Sequence, residues 1–235
     1  MKKLLILLLF IPILFSCNEK DKSTVDEITT NIKDIILVDK IVDTTATNFN
    51  DQLYSKETVN EYFSRAKDTY ANANYKGAIV DFYKLQNIVN NSVMDDESKT
   101  SFVGYSKLYI GIAKYELEDF KGAVFFFDDV IEIVQEKDLY QSAIFWRGMA
   151  NFAQHIDYLY FQAIEDFTTV IELPQFAMIS EAYYFRAAAK YRVFDRDGAC
   201  EDAKKSEELG IFHCSDDELY SIISNKKSKH KELIQ

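Results

Sequence analysis

Apolar and polar positions divide the chain into three regimes. From Leu4 to Phe15 the residues are apolar except for Pro12. Residues 18 to about 57 are polar and rich in Thr, Asp, Asn and Lys, with Val25, Ile28, Ile32 and Ile35 at helical spacing. That spacing leaves two readings open, a short amphipathic helix or a plain tether. Beyond residue 59 a block of small and apolar residues recurs. Tyr75-Lys76-Gly77-Ala78, Phe120-Lys121-Gly122-Ala123, Tyr160-Phe161-Gln162-Ala163 and Arg196-Asp197-Gly198-Ala199 start four helical segments. Their alanines stand 45, 40 and 36 residues apart. A second helical segment precedes each block, centred on Ala66, Gly111, Gly148 and Ala187. Repeats of this period predict a stack of helix-turn-helix units, none of which can bury its apolar face alone.

Composition agrees with a helical chain. Among 235 residues there are only 7 Gly and 2 Pro. A many-stranded sandwich or barrel draws more heavily on both for its turns. Tyr and Phe number 15 and 18, too many for a disordered chain. The fold class is therefore all-α. The net charge of -11 lacks the basic stripe that nucleic acid requires, so no nucleic-acid partner is expected.

With these blocks in register the chain resembles the tetratricopeptide-repeat family, an α-α superhelix. That pattern has a small residue at repeat position 8, supplied by Ala66, Gly111, Gly148 and Ala187. It has Ala at position 20, supplied by Ala78, Ala123, Ala163 and Ala199. Position 24 is Phe in three repeats and Ala203 in the last. The resemblance implies four repeats over 59–210, at about 59–92, 104–137, 141–175 and 180–210. It also implies that the small residue at 8 faces the alanine at 20. Extra residues fall at Asn90 to Thr100 and Gln135 to Tyr140. A third insertion at Gln154 to Leu159 is expected to lie between the two helices of the third repeat. Arg196 replaces the aromatic at position 17, Pro174 closes the third repeat, and Gly104 has no assigned role.

The family binds partners in its concave groove. The register carries groove position 5 onto Phe63, Leu108, Phe145 and Tyr184, and position 12 onto Tyr70, Tyr115, Phe152 and Tyr191. Two readings of the aromatics at position 12 stay open. They line a groove for a peptide, or they pack between neighbouring repeats.

Lys2, Lys3 and the apolar run read as a secretory leader over 1–16. Leu14-Phe15-Ser16-Cys17 resembles a bacterial lipobox, which implies lipidation of Cys17 and a membrane anchor through the N-terminal lipid. Asn18 after the Cys favours the outer membrane over inner-membrane retention, in either leaflet. Residues 17–58 are then the lipidated Cys and tether. In 211–235, Ser215 and Glu218 read as a capping box that starts a terminal capping helix. The basic run Lys226 to Lys231 reads as a solvated end.

No catalytic motif is present, and the chain is read as a non-enzyme without cofactor. His213-Cys214 with Asp216 and Asp217 reads as a helix-start turn, not as a metal site. Asp128-Asp129 reads as part of a solvated helix face. Cys200 and Cys214 are expected to remain unbridged, buried thiols, because a helix separates them. The sequence thus points to a lipoprotein scaffold of a Gram-negative, Bacteroidota-like envelope that binds protein or peptide partners. Two narrower readings are a repeat-type outer-membrane assembly lipoprotein and an accessory lipoprotein that captures glycan nutrients.

Overall fold

In the computed structural model, the described residues are 53–134, 136–173 and 175–210. The leader, Cys17, the helical spacing at Val25 to Ile35, Pro174, Cys214 and the capping helix with its basic tail lie outside them. The described residues form eight helices: α1 Lys56–Ala71, α2 Tyr75–Asn90, α3 Asp96–Glu116, α4 Phe120–Ile133, α5 Lys137–Ala153, α6 Asp157–Glu172, α7 Ile179–Arg192 and α8 Arg196–Glu208. Every helix packs on the next, and α5 also touches α3 and α7. The architecture is an all-helical, solenoid-like stack. The only β pairing among the described residues is a parallel bridge between Tyr54 and Ser92, which ties the approach to α1 against the α2–α3 connection.

One left-handed turn residue recurs in all four repeats, and a full turn design in three of them. Ala73, Glu118, His155 and Phe194 each take a left-handed backbone, with φ between 56° and 66°. In repeats one, two and four the next residue donates its N–H to a carbonyl five residues back: Asn74 to Thr69, Asp119 to Lys114, Asp195 to Lys190. This is the closure of a Schellman motif, and it satisfies orphan carbonyls of the first helix. The same three residues cap the second helix, each accepting from a glycine N–H at Gly77, Gly122 or Gly198. A Cβ on these glycines would fall 2.3–2.4 Å from the capping side chain. Glycine recurs there because it gives the cap room.

The third repeat departs from this design. The insertion expected between its helices is not a loop. Helix α6 starts at Asp157, so Asp157, Tyr158 and Leu159 form an added first turn. Asp157 at the N-terminus favours the helix dipole, which offsets the missing side-chain cap at Ile156. The other extra residues are also largely helical. Asp95 caps α3 at Ser98, so α3 begins eight residues before Gly104. This extension explains Gly104. A Cβ there would lie 2.6 Å from Val134 and 2.8 Å from Leu139, so glycine lets α3 approach the end of α4 and the first turn of α5. Replacing Gly104 with Ala is expected to cost about 1–3 kcal/mol, read as a lower urea midpoint at unchanged slope.

Two apolar clusters fill the stack. One gathers Val59, Phe82, Leu85, Ile88, Ile110 and Phe126; the other runs from Leu108 and Phe127 through Phe145, Trp146 and Phe167 to Phe176 and Ala182. Helix α3 feeds both, Ile110 into the first and Leu108, Ile112 and Tyr115 into the second. The small residues Ala66, Ala78, Gly111, Ala123, Gly148, Ala163, Ala187 and Ala199 are all buried. In two repeats the side chain nearest to position 8 is the ring at position 24. A Cβ on Gly111 would lie 2.6 Å from the Phe127 ring, and one on Gly148 would lie 3.0 Å from Phe167. The small residue at 8 therefore makes room for the ring at position 24. Beyond α8 the backbone turns at Gly210, whose φ of 102° suits glycine after a helix C-cap.

Candidate functional site: the aromatic face and the charged clamps

The eight residues assigned to the groove do not form one open wall. Leu108, Tyr115, Phe145 and Tyr184 are buried, and Phe63, Tyr70, Phe152 and Tyr191 are half-buried. Three of the four rings at position 12 reach the following repeat. Tyr70 meets Tyr109, Tyr115 meets Trp146, and Phe152 meets Phe185, at centroid distances of 5.5–6.3 Å. Tyr191 has the Arg196 guanidinium over its ring. At position 5, Phe145 is enclosed by Trp146, Phe167, Phe176 and Phe185. These residues act mainly in repeat-to-repeat packing.

One face keeps aromatic surface. Phe63 of α1 packs edge-on against Phe102, Tyr105 and Tyr109 of α3, at 5.6–6.2 Å. Tyr70 extends the same row. All five rings are half-buried. Lys67 places its ammonium 5.6 Å from the Phe63 centroid, so that ring face accepts a cation. The Tyr105 hydroxyl donates to Glu136 at 2.6 Å, as does Ser101 at 2.7 Å. Burial and this bonded carboxylate push the Tyr105 phenol up to about 12. Burial, helped by Glu116, also raises Tyr70. The tyrosines are neutral donors at physiological pH, and the face offers rings and hydroxyls without its own nucleophile.

A second arrangement is absent from the sequence reading. Position 7 is Arg65, Ile110, Arg147 and Arg186, and position 23 is Asp81, Phe126, Asp166 and Asp202. Where position 7 is Arg, position 23 is Asp. Arg147 grips Asp166 through Nε and Nη2, with the closest contact at 2.6 Å. Its Nη1 reaches back to Asp128 of α4 at 2.8 Å. Arg186 repeats the geometry with Asp202 at 2.6 and 2.8 Å, and reaches back to Thr168 at 3.0 Å. Asp128 and Thr168 occupy the same repeat position, 25. Each arginine thus fastens its own repeat to the one before.

The first junction uses other chemistry. Tyr83 at position 25, Ile110 and Phe126 lie in one apolar cluster, with Tyr83 and Phe126 6.3 Å apart. Asp128 and Asp129, read as solvated, are both paired, Asp129 with Lys107 at 2.6 Å. Burial raises the Asp166 carboxyl above the ordinary range, against the pull of Arg147 and with help from Asp128. The arginine's bonds outweigh its own burial and keep it charged. The signal was legible in three of the four repeats, as an Arg before the small residue at 8 and an Asp three places after the anchor alanine.

Cys200 is half-buried rather than buried. Among the described residues no three His, Cys, Asp or Glu side chains cluster to hold a metal. No helix among them is long and apolar enough to cross a membrane. No family model matches the chain, and no curated protein matches it at a significant level.

Proposed function

We propose that the chain is a lipid-anchored scaffold of the tetratricopeptide-repeat type that binds a protein partner in a bacterial envelope. The observation that carries the reading is the aromatic face of α1 and α3. Phe63, Tyr70, Phe102, Tyr105 and Tyr109 bring five half-buried rings and several hydroxyls onto one side of a helical stack. Rigid aromatic side chains of this kind dominate protein interfaces, because they bury large area with little loss of freedom. The repeat register supports the family assignment, with a small buried residue at position 8 and a buried alanine at 20 in all four repeats. The lipobox at Leu14 to Cys17 supports the anchor.

The test is site-specific photocrosslinking in intact cells. A photoreactive residue at Lys67, beside the rings, is expected to capture a discrete protein adduct. The same residue at exposed Lys204 on α8 is expected to capture none. Equal capture at both sites, or none at Lys67, overturns the assignment. Identification of the adduct separates a barrel-assembly component from a nutrient transporter.

A further inference from the structure

Half of the exposed large apolar side chains among the described residues gather on one edge of the stack. Leu117 belongs to the α3–α4 turn, and Ile156, Tyr158 and Phe161 to the α5–α6 turn and the start of α6. Phe194 belongs to the α7–α8 turn. These turns share an edge because first helices all run one way and second helices the other. Contacts between neighbouring turns support this. Tyr75 at the start of α2 bonds Glu116 at the end of α3. Arg192 at the end of α7 lies 5.1 Å from the Tyr160 ring at the start of α6.

Phe194 is the sharpest feature. Its φ of 66° is a left-handed backbone, which favours Gly, Asn or Asp and disfavours a bulky aromatic by about 1 kcal/mol. Its side chain is nevertheless 86% exposed. In the third repeat the added turn of α6 brings Tyr158, also well exposed, to the same edge. A strained, outward-pointing ring and an inserted turn both serve to display apolar groups there.

We propose that this edge seats in the interfacial layer of the membrane that holds the N-terminal lipid. The proposal rests on the lipid-anchored reading above. The side chains project from turn tips and a helix start and do not line a groove. Phe, Tyr, Leu and Ile on such projections are suited to the headgroup boundary. About 35 residues separate Cys17 from Leu53. A segment of that length spans at most roughly 115 Å when fully extended, well beyond the roughly 24 Å length of α1. The anchor therefore reaches either edge and holds the stack at high local concentration, so weak insertion is enough. The net charge of -11 selects a zwitterionic surface over an anionic one. Asp119 and Asp195 within these turns are engaged as helix caps.

The test uses the full mature chain, acylated and as Cys17→Ala, with phosphatidylcholine vesicles at millimolar lipid carrying acyl chains brominated near the headgroup. Phe194→Trp is compared with Phe125→Trp, which is 61% exposed but lies within α4, away from the turns. Native Trp146 is buried and contributes equally to both. Quenching of the Trp at 194 is expected to exceed that at 125 at least twofold. Equal or absent quenching in both forms of the chain overturns the proposal. Shielding of the Trp at 194 that grows with protein concentration without vesicles also overturns it, in favour of contact between copies. Failure of the anchor reading appears separately, as the absence of diacylglyceryl mass on Cys17.

Discussion

Replacement of Arg147 with Ala is expected to destabilise the stack by about 3–5 kcal/mol, the range for breaking a buried ion pair from one side. The loss has a specific origin. Asp166 is nearly inaccessible, and Arg147 holds it from two nitrogens while bracing Asp128 with a third. Without the guanidinium the Asp166 carboxylate remains buried with its main counter-charge removed. The protein itself suggests the compensating change. At the first junction the same positions carry Ile110 and Phe126. The double variant Arg147→Ile, Asp166→Phe is therefore expected to recover most of the loss, because replacing both partners of a buried pair by packed apolar groups is often near neutral. Urea unfolding of wild type, both single variants and the double variant measures this as a cycle. If Arg147→Ala shifts the midpoint by less than about 1 kcal/mol, the clamp is ornamental, as most surface pairs are. The pH dependence carries a sign as well. The raised Asp166 carboxyl takes a proton more readily folded than unfolded, so this group favours the native state as pH falls through its raised pKa. The Asp166→Asn variant is expected to lose that acid-side gain.

Phe127→Ala is expected to cost about 3–5 kcal/mol as well, by a different mechanism. Phe127 is fully buried at the centre of the larger cluster, with its ring against Gly111. Truncation leaves a ring-sized cavity between α3 and α4, which close-packed neighbours fill only in part. Gly111→Ala presses on the same contact from the other side, placing its methyl 2.6 Å from the ring. The pair is expected to couple. Gly111→Ala combined with Phe127→Leu should be more stable than the two single losses added together, since the smaller side chain yields the space the methyl needs. Thermal unfolding of the four variants gives the coupling directly. Simple additivity would show that the helices move apart instead of contesting one space.

What could be read from the sequence depended on whether a signal was local or shared between repeats. Helix segments, the four-block register and the small residues at positions 8 and 20 needed only spacing. The extra residues near Asn90 to Thr100 were visible as spacing, but the helical state of Asp96 to Thr100 is set by Asp95 as a cap and by acidic residues in the first turn of α3. Gly104 had no visible role because its partners, Val134 and Leu139, arrive from the end of α4 and the first turn of α5. The aromatics at position 12 supported two readings because burial depends on the neighbouring repeat. Rings such as Trp146 and Phe185 occupy that space only once the stack is assembled. The clamps were the avoidable omission. Charged residues on a helix are usually solvated, and that prior hid a pairing repeated in three repeats at fixed offsets.

The junction chemistry also limits the orders in which these repeats can be strung together. Tyr83 meets Ile110 and Phe126, Asp128 meets Arg147, and Thr168 meets Arg186. A chain in which the first and second repeats traded places would set Tyr83 against Arg147, a phenol where the native junction has the Asp128 carboxylate. Duplication of the first unit would leave a guanidinium facing a phenol, and duplication of the second a carboxylate facing an isoleucine, whereas duplication of the third would repeat the native pairing of Thr168 with an arginine. Outwardly alike units therefore carry a partial serial address, written in residues 7, 23 and 25, and lineages descending from such an array are expected to change length at its ends or at its third unit.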